Sequence, residues 1–272
     1  MNEIINFIRT AADGSLDGVS DGLIIALGVT AAVILIVSIY ALIVSIWLGI
    51  SYAKYNKTEN SIGKTGEEIA RKVLDDHGLQ HIKVSKTGSV MFGNSYSHFF
   101  KKVRLRRRTW KKTSVSALAM AVQKSALAVL DKEKDPDMRK RIIMTPFIFA
   151  GPLAFIPLVL IGLLLDVLLF DAQSVVFTVL CSSIGLVLFL LSFLMSVLVL
   201  KTEKKAQARA LDIMQRENLA NEEERQMCEK LFRLYNIEYI NDIILSLLEI
   251  IYRVLSIVAK AQSNSSSESA SD

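Results

Sequence analysis

TSVSALAMAVQKSALAVL, Thr113 to Leu130, contains no proline and no glycine and carries one charge, Lys124. Val115, Leu118 and Val122, then Leu127 and Leu130, recur at helical spacing, and the alanines between them let neighbouring backbones approach closely. The pattern predicts a helix buried around most of its circumference. A single polar pair, Gln123 and Lys124, interrupts it at its middle.

The chain on either side of this helix is strongly basic. From Ser51 to Ile142 there are 21 Lys and Arg against 9 Asp and Glu, which by the positive-inside rule places this stretch in the cytoplasm. Thr65 with Glu68 forms a capping box, Ile69, Val73 and Leu74 make an apolar stripe, and Gly78 closes that helix. Strand candidates follow at Ile82 to Ser85, Val90 to Phe92 and Lys101 to Arg106, with Thr87 and Gly88 as a turn signal. These pieces predict a small α+β unit packed on the buried helix.

The most basic piece is KKVRLRRRTWKK, in which Lys101, Lys102, Arg104, Arg106, Arg107, Arg108, Lys111 and Lys112 surround Trp110. Such a patch suits anionic lipid headgroups, each cation near the surface contributing about 1 kcal/mol. It could also hold RNA phosphates with Trp110 stacked on a base, or be a solvated basic strand and loop. No nucleic-acid fold signature accompanies it.

Composition makes the chain a membrane protein: 51% of its 272 residues are hydrophobic and the mean hydropathy is +0.38. Gly22 to Ile50 runs without a charge for about 29 residues, or about 43 Å as a helix, enough to cross a bilayer. Ile142 to Leu165 and Val175 to Leu200 form a second and third span, joined by a tight acidic turn with Asp166 and Asp171. The first of this pair carries Pro146, Pro152 and Pro157, and the hairpin is basic at both cytoplasmic ends, at Arg139, Lys140 and Arg141 and at Lys201, Lys204 and Lys205. The expected fold class is a mainly α, multi-pass membrane protein, with transmembrane helices and a small cytoplasmic α+β domain.

The domain plan follows directly. Residues 1–21 form an N-terminal arm on the outside, 22–50 the first span, 51–141 the basic cytoplasmic domain ending in a linker at Asp131 to Arg141, and 142–200 the helical hairpin. Residues 201–260 supply charged helices, broken near Asn218 to Asn221 with Asn221 and Glu224 as a cap, then an apolar helix at 237–260 that lies in the membrane interface or packs on the domain, with a fourth span as the alternative. That helix is interrupted by Asp242, Glu249 and Arg253. Residues 261–272 read as a disordered polar tail. Cys181 and Cys228 fit neither a disulfide framework nor a metal motif.

The order of segments, TGEEIARKVLDDHGL at Thr65 to Leu79, IKV at Ile82 to Val84, VRL at Val103 to Leu105 and then the buried helix, resembles the membrane-bound neutral zinc metallopeptidases of bacteria, the YugP-like family. The resemblance implies a zincin-like domain and a helix carrying HExxH, whose two imidazoles hold Zn²⁺ while the Glu acts as general base. Counting forward from VRL puts Gln123, Lys124 and Leu127 at those three positions. An amide is a poor zinc ligand, an ammonium repels the metal, and Leu127 has no lone pair. The resemblance also implies a third ligand just after the hairpin, where Glu203 stands between Lys201 and Lys204. There it reads as a surface or interfacial ion-pair residue whose loss would cost little.

The expected function is therefore that of a membrane pseudopeptidase without catalytic or metal-binding residues and with no cofactor, a scaffold or binding module. Its partners would be the lipid bilayer, anionic headgroups and another membrane protein. The competing reading is an active peptidase with zinc on His77, His81 or His98 and Glu203. His77 and His81 stand four apart, but Gly78 separates them, and His98 lies in the loop-like SYSHFF.

Overall fold

The structure, a computed structural model, describes Glu3, Ile5 and residues 18–88, 93–170 and 176–269. Among the described residues, seven helices and three strands follow in order: α1 (Asp21–Tyr55), α2 (Gly66–Asp76), β1 (Lys83–Thr87), β2 (Ser95–Ser97), β3 (Lys102–Arg106), α3 (Arg107–Lys111), α4 (Val115–Lys132), α5 (Pro136–Phe170), α6 (Val176–Arg216) and α7 (Glu222–Ser269). Two compact units divide the chain, Ile46–Ile237 and the combination of Met1–Ser45 with Glu238–Asp272.

In the first unit α4 is the central element. Every residue from Val115 to Leu130 is buried except Lys124. Its wrapping is supplied by α2 through Ile69, Val73 and Leu74, by β3 through Val103 and Leu105, and by α6 through Ala206, Ala210, Ile213 and Met214. Ser114 caps α4, its hydroxyl accepting the Ala117 N–H at 3.3 Å. The capping box of α2 forms as the sequence predicts, with the Glu68 carboxylate accepting the Thr65 N–H at 2.7 Å. Gly66 permits the close approach of α2 and α3, since a Cβ there would stand 2.1 Å from the Thr109 carbonyl oxygen.

The sheet has the order β1-β3-β2, with β1 parallel and β2 antiparallel to the central β3. Val103 pairs with Val84 on one side and Tyr96 on the other. The strand expected at Val90 to Phe92 lies outside the described residues. Downstream of β3 the basic segment becomes the short helix α3, so Trp110 is half-buried against the core rather than free on a loop.

The linker expected to run to Arg141 is shorter than its composition suggested. Asp135 accepts the Asp137 and Met138 N–H groups at 3.0 and 3.1 Å, and Pro136 begins α5. Aspartate at the cap with proline in the first turn starts a helix as readily as it ends one. Arg139, Lys140 and Arg141 consequently lie on α5.

Helices α5 and α6 form the hairpin. Asp166 closes it by accepting the Phe177 and Thr178 N–H groups at 2.9 and 2.8 Å. Gly162 admits α6 backbone, a Cβ there meeting the Phe177 carbonyl oxygen at 2.7 Å, and Ser192 Oγ donates across to the Phe147 carbonyl at 2.6 Å. Asp171 lies outside the described residues.

Among the described residues three helices are long and apolar enough to cross a membrane, Asp21–Tyr55, Pro136–Leu169 and Val176–Arg216. They expose large apolar side chains along their length, among them Leu35, Ile36, Ile39, Leu160, Leu168 and Val187. A surface of that character needs lipid against it.

In the other unit, Ile24, Leu27, Val19 and Ile5 cluster with Ala259. Ser45 Oγ donates to Glu238 at 2.7 Å, and the Ser20 N–H donates to Gln262 Oε1 at 3.1 Å. The apolar stretch 237–260 continues α7 unbroken from Glu222, and where a disordered tail from Ala261 is expected the helix runs on to Ser269.

Candidate functional site

The polar pair of α4 faces a carboxylate supplied by α6. Gln123 Nε2 donates to Glu203 Oε2 at 3.0 Å, and Lys124 Nζ donates to the same oxygen at 3.1 Å. From α5, Arg141 Nη2 donates to Glu203 Oε1 at 2.8 Å. Glu203 sits beyond the apolar stretch that ends at Leu200, with one-fifth of its side chain exposed, and Lys124 and Arg141 are 13% and 16% exposed. Burial by itself pushes the Glu203 carboxyl up. The Lys124 ammonium and Arg141 guanidinium outweigh burial and hold it at about 2. Glu203 is thus an interfacial ion-pair residue with two cationic partners, and its loss would strand both of them, contrary to the small cost expected for a surface pair.

This arrangement joins three elements through one side chain, and it does not fit zinc. Both Glu203 oxygens already accept from cations, Lys124 brings a positive charge to the spot, and Leu127 is fully buried in the core with no lone pair to offer. Among the described residues no three His, Cys, Asp or Glu side chains gather so that they could hold a metal ion.

The histidines of the competing reading are engaged elsewhere. His77 caps α2, its Nδ1 lying 2.9 Å from the Val73 carbonyl and 3.4 Å from Glu217. His98 Nδ1 stands 2.6 Å from Asp131 Oδ2, the same oxygen to which the buried Tyr96 hydroxyl donates at 2.5 Å. His81 lines a cavity of about 500 Å³ beside these groups, next to Ile82, Lys101, Asp131, Lys134, Arg139 and Ile143. The structure therefore does not bring the three imidazoles together with Glu203.

Of the eight cations in the basic segment, Lys101, Arg106, Arg107, Arg108, Lys111 and Lys112 are exposed, whereas Lys102 and Arg104 are half-buried. Both of the latter lie over the Phe100 ring, 5.3 Å from its centroid. Trp110 is half-buried and packs against the core.

Two participants escape a reading by motif. Arg141 looks like one more cation at a membrane boundary, and Asp131 like the first acid of a linker. The one available signal is spacing: Asp131 lies seven residues from Lys124, two helical turns along the same side of α4.

Comparison with known proteins supports the same family as the segment order. A family model described as "Putative neutral zinc metallopeptidase" matches residues 30–258. The chain is also similar to the "Putative membrane protease YugP" of Bacillus subtilis (strain 168), 26% identical over 206 residues that make up 75% of this chain and 86% of that protein. No solved structure matches the chain. With a match across most of its length and three membrane-length helices, the chain belongs to the neutral zinc metallopeptidase family.

Proposed function

We propose that this member of the family is a pseudopeptidase, a membrane-embedded scaffold or binding module whose former catalytic helix now serves as a structural element. The observation that carries this reading is Lys124 Nζ on Glu203 Oε2 at 3.1 Å, with Arg141 on the other oxygen. Gln123, Lys124 and Leu127 then stand at the HExxH positions and Glu203 at the third-ligand position. Two side-chain cations and the Gln123 amide occupy both oxygens of the carboxylate, so protein groups alone join α4 to the membrane hairpin.

The partner in this reading is another membrane protein or a peptide segment held against the zincin-like domain, on the cytoplasmic side. Support for that side is the excess of 21 Lys and Arg over 9 Asp and Glu in 51–142. A cysteine at Ser61 should resist an impermeant thiol reagent on intact cells, while one at Ser15 should react. The opposite labelling would reverse the orientation.

The experiment that tests the central reading is the zinc content of the purified, detergent-solubilised chain. We expect none bound stoichiometrically, whereas Gln123→His, Lys124→Glu and Leu127→His together should take up one zinc, because two imidazoles one turn apart and Glu203 supply three ligands. A parent chain that purifies with one zinc and loses it on Glu203→Gln would overturn the pseudopeptidase reading.

A further inference from the structure

We propose that the cavity at the C-terminal end of α4 is a binding site for the phosphate of an acidic bilayer phospholipid. Four permanent cations line it, Lys101, Lys132, Lys134 and Arg139, against one carboxylate, Asp131. That carboxylate is already occupied by Tyr96 and His98 on one oxygen. Lys132 donates to the His77 carbonyl at 2.5 Å, and Lys101 Nζ lies 3.5 Å from His98 Nδ1. Among the described residues neither Lys134 nor Arg139 has an acidic partner. The cavity thus holds cationic donors in excess of the protein acceptors available to them, which is the electrostatic condition for an anionic ligand.

The chain itself indicates that the anion comes from the membrane. Ile142 and Ile143 line the same cavity, and they open the apolar stretch of α5; Ile143 is 68% exposed. Phe99 and Phe100 are each 66% exposed on the turn that leads to Lys101. A phosphate among the cations would leave its acyl chains running along α5, with the two phenylalanines at headgroup depth. Aromatic side chains bordered by lysine and arginine are what an interface of this kind accommodates.

The backbone points to the same residues. Lys101 and Lys134 have φ of 45° and 57°, two of the three non-glycine residues in the left-handed region among the described ones. Lys134 stands just past α4, in the place where helices usually end on glycine, and the Asp135 N–H closes the turn on the Leu130 carbonyl at 3.0 Å. Glycine would hold that conformation with less strain but would bring no ammonium to the cavity.

The inference depends on the membrane location of the chain and not on the pseudopeptidase reading, which zinc content tests separately. Its test uses the full chain in a neutral detergent, with thermal unfolding followed as phosphatidylglycerol, phosphatidylcholine or inorganic phosphate is added. Phosphatidylglycerol should raise Tm by about 3–6 °C near saturation, and the other two additions should leave it unchanged. Lys134→Gly combined with Arg139→Gln should abolish the shift. Lys134→Gly alone should weaken it while leaving the lipid-free Tm equal or higher, which separates lost binding from lost folding. Arg107→Gln with Arg108→Gln, away from the cavity, should retain it. Equal shifts with phosphatidylcholine, a shift with inorganic phosphate alone, or an undiminished shift in the double cavity variant would overturn the proposal.

Discussion

Two polar sites lie two turns apart on α4 and are built in opposite ways. At Lys124 an ammonium, a guanidinium and an amide converge on one carboxylate, and both oxygens of Glu203 are used. At Asp131 one carboxylate takes two protein donors, while four permanent cations share the cavity around it. At the first site the chain's own groups occupy both carboxylate oxygens, which ties three elements together. The second has donors to spare. Charge counting alone would rank both as ion-pair clusters; whether the cations already have an acidic partner is what separates a joint from a binding site.

The largest expected effect is at the saturated site. Glu203→Gln leaves Lys124 and Arg141 without a counter-charge and should cost about 3 kcal/mol, the size of a shift from 4.5 to about 2. Because the folded carboxyl is held below its unfolded value, this contribution is complete above about pH 4.5 and disappears as pH falls towards 2. The stability gap between parent and variant in urea should therefore be wide at pH 7 and narrowed to roughly a quarter of that at pH 2.5. A gap under about 1 kcal/mol at pH 7 would put Glu203 among ordinary surface pairs.

At the cation-rich site the protein's own contribution is smaller. Tyr96 is buried, and burial followed by its bond to Asp131 raises its hydroxyl well above the ordinary value, so it donates throughout the accessible pH range. Tyr96→Phe removes one hydrogen bond to a charged group at little change in shape and should cost about 1.5 kcal/mol. It also frees an Asp131 lone pair to attract Lys134 or Arg139, so the variant should bind phosphatidylglycerol more weakly than the parent. Unchanged stability on equilibrium unfolding would mean that the hydroxyl is replaced by solvent and that Asp131 is less enclosed than its surroundings suggest.

How much of this was legible before the structure follows from the range of each interaction. The burial of α4, the Thr65 and Glu68 capping box and the hairpin rest on periodicity or on neighbours three residues apart, and these signals are written locally. Asp135 and Pro136 are equally local, yet the same pair can stop one helix and start the next, so from sequence alone Arg141 falls in a linker. Arg141 reaches Glu203 across 62 residues and Tyr96 reaches Asp131 across 35. No composition or spacing rule connects such partners, because packing of α4 against α5, α6 and β2 brings them together.

The smallest expected effect lies outside both sites, on the exposed part of the basic segment. Arg107 and Arg108 occupy the first turn of α3 and are exposed, in contrast to Val103, Leu105 and Thr109, which face inward. Replacing both with Gln removes no buried contact, so stability should move by less than about 0.5 kcal/mol. If this face also meets anionic headgroups, the double variant should lose part of the parent's recruitment to phosphatidylglycerol vesicles when reconstituted nanodiscs of the full chain are mixed with them at low salt. The loss should fade as ionic strength rises past 0.15 M, where exposed charges are screened beyond about 8 Å. The cations around Asp131 are exposed as well, but a phosphate seated among several of them would meet them at contact distance, well inside the screening length, so the lipid-dependent Tm shift should survive salt that abolishes vesicle recruitment. Recruitment and Tm shift that fall together with salt, and together in the Arg107 and Arg108 variant, would merge the two surfaces into one diffuse basic face and remove the distinction between a headgroup cavity and a solvated patch.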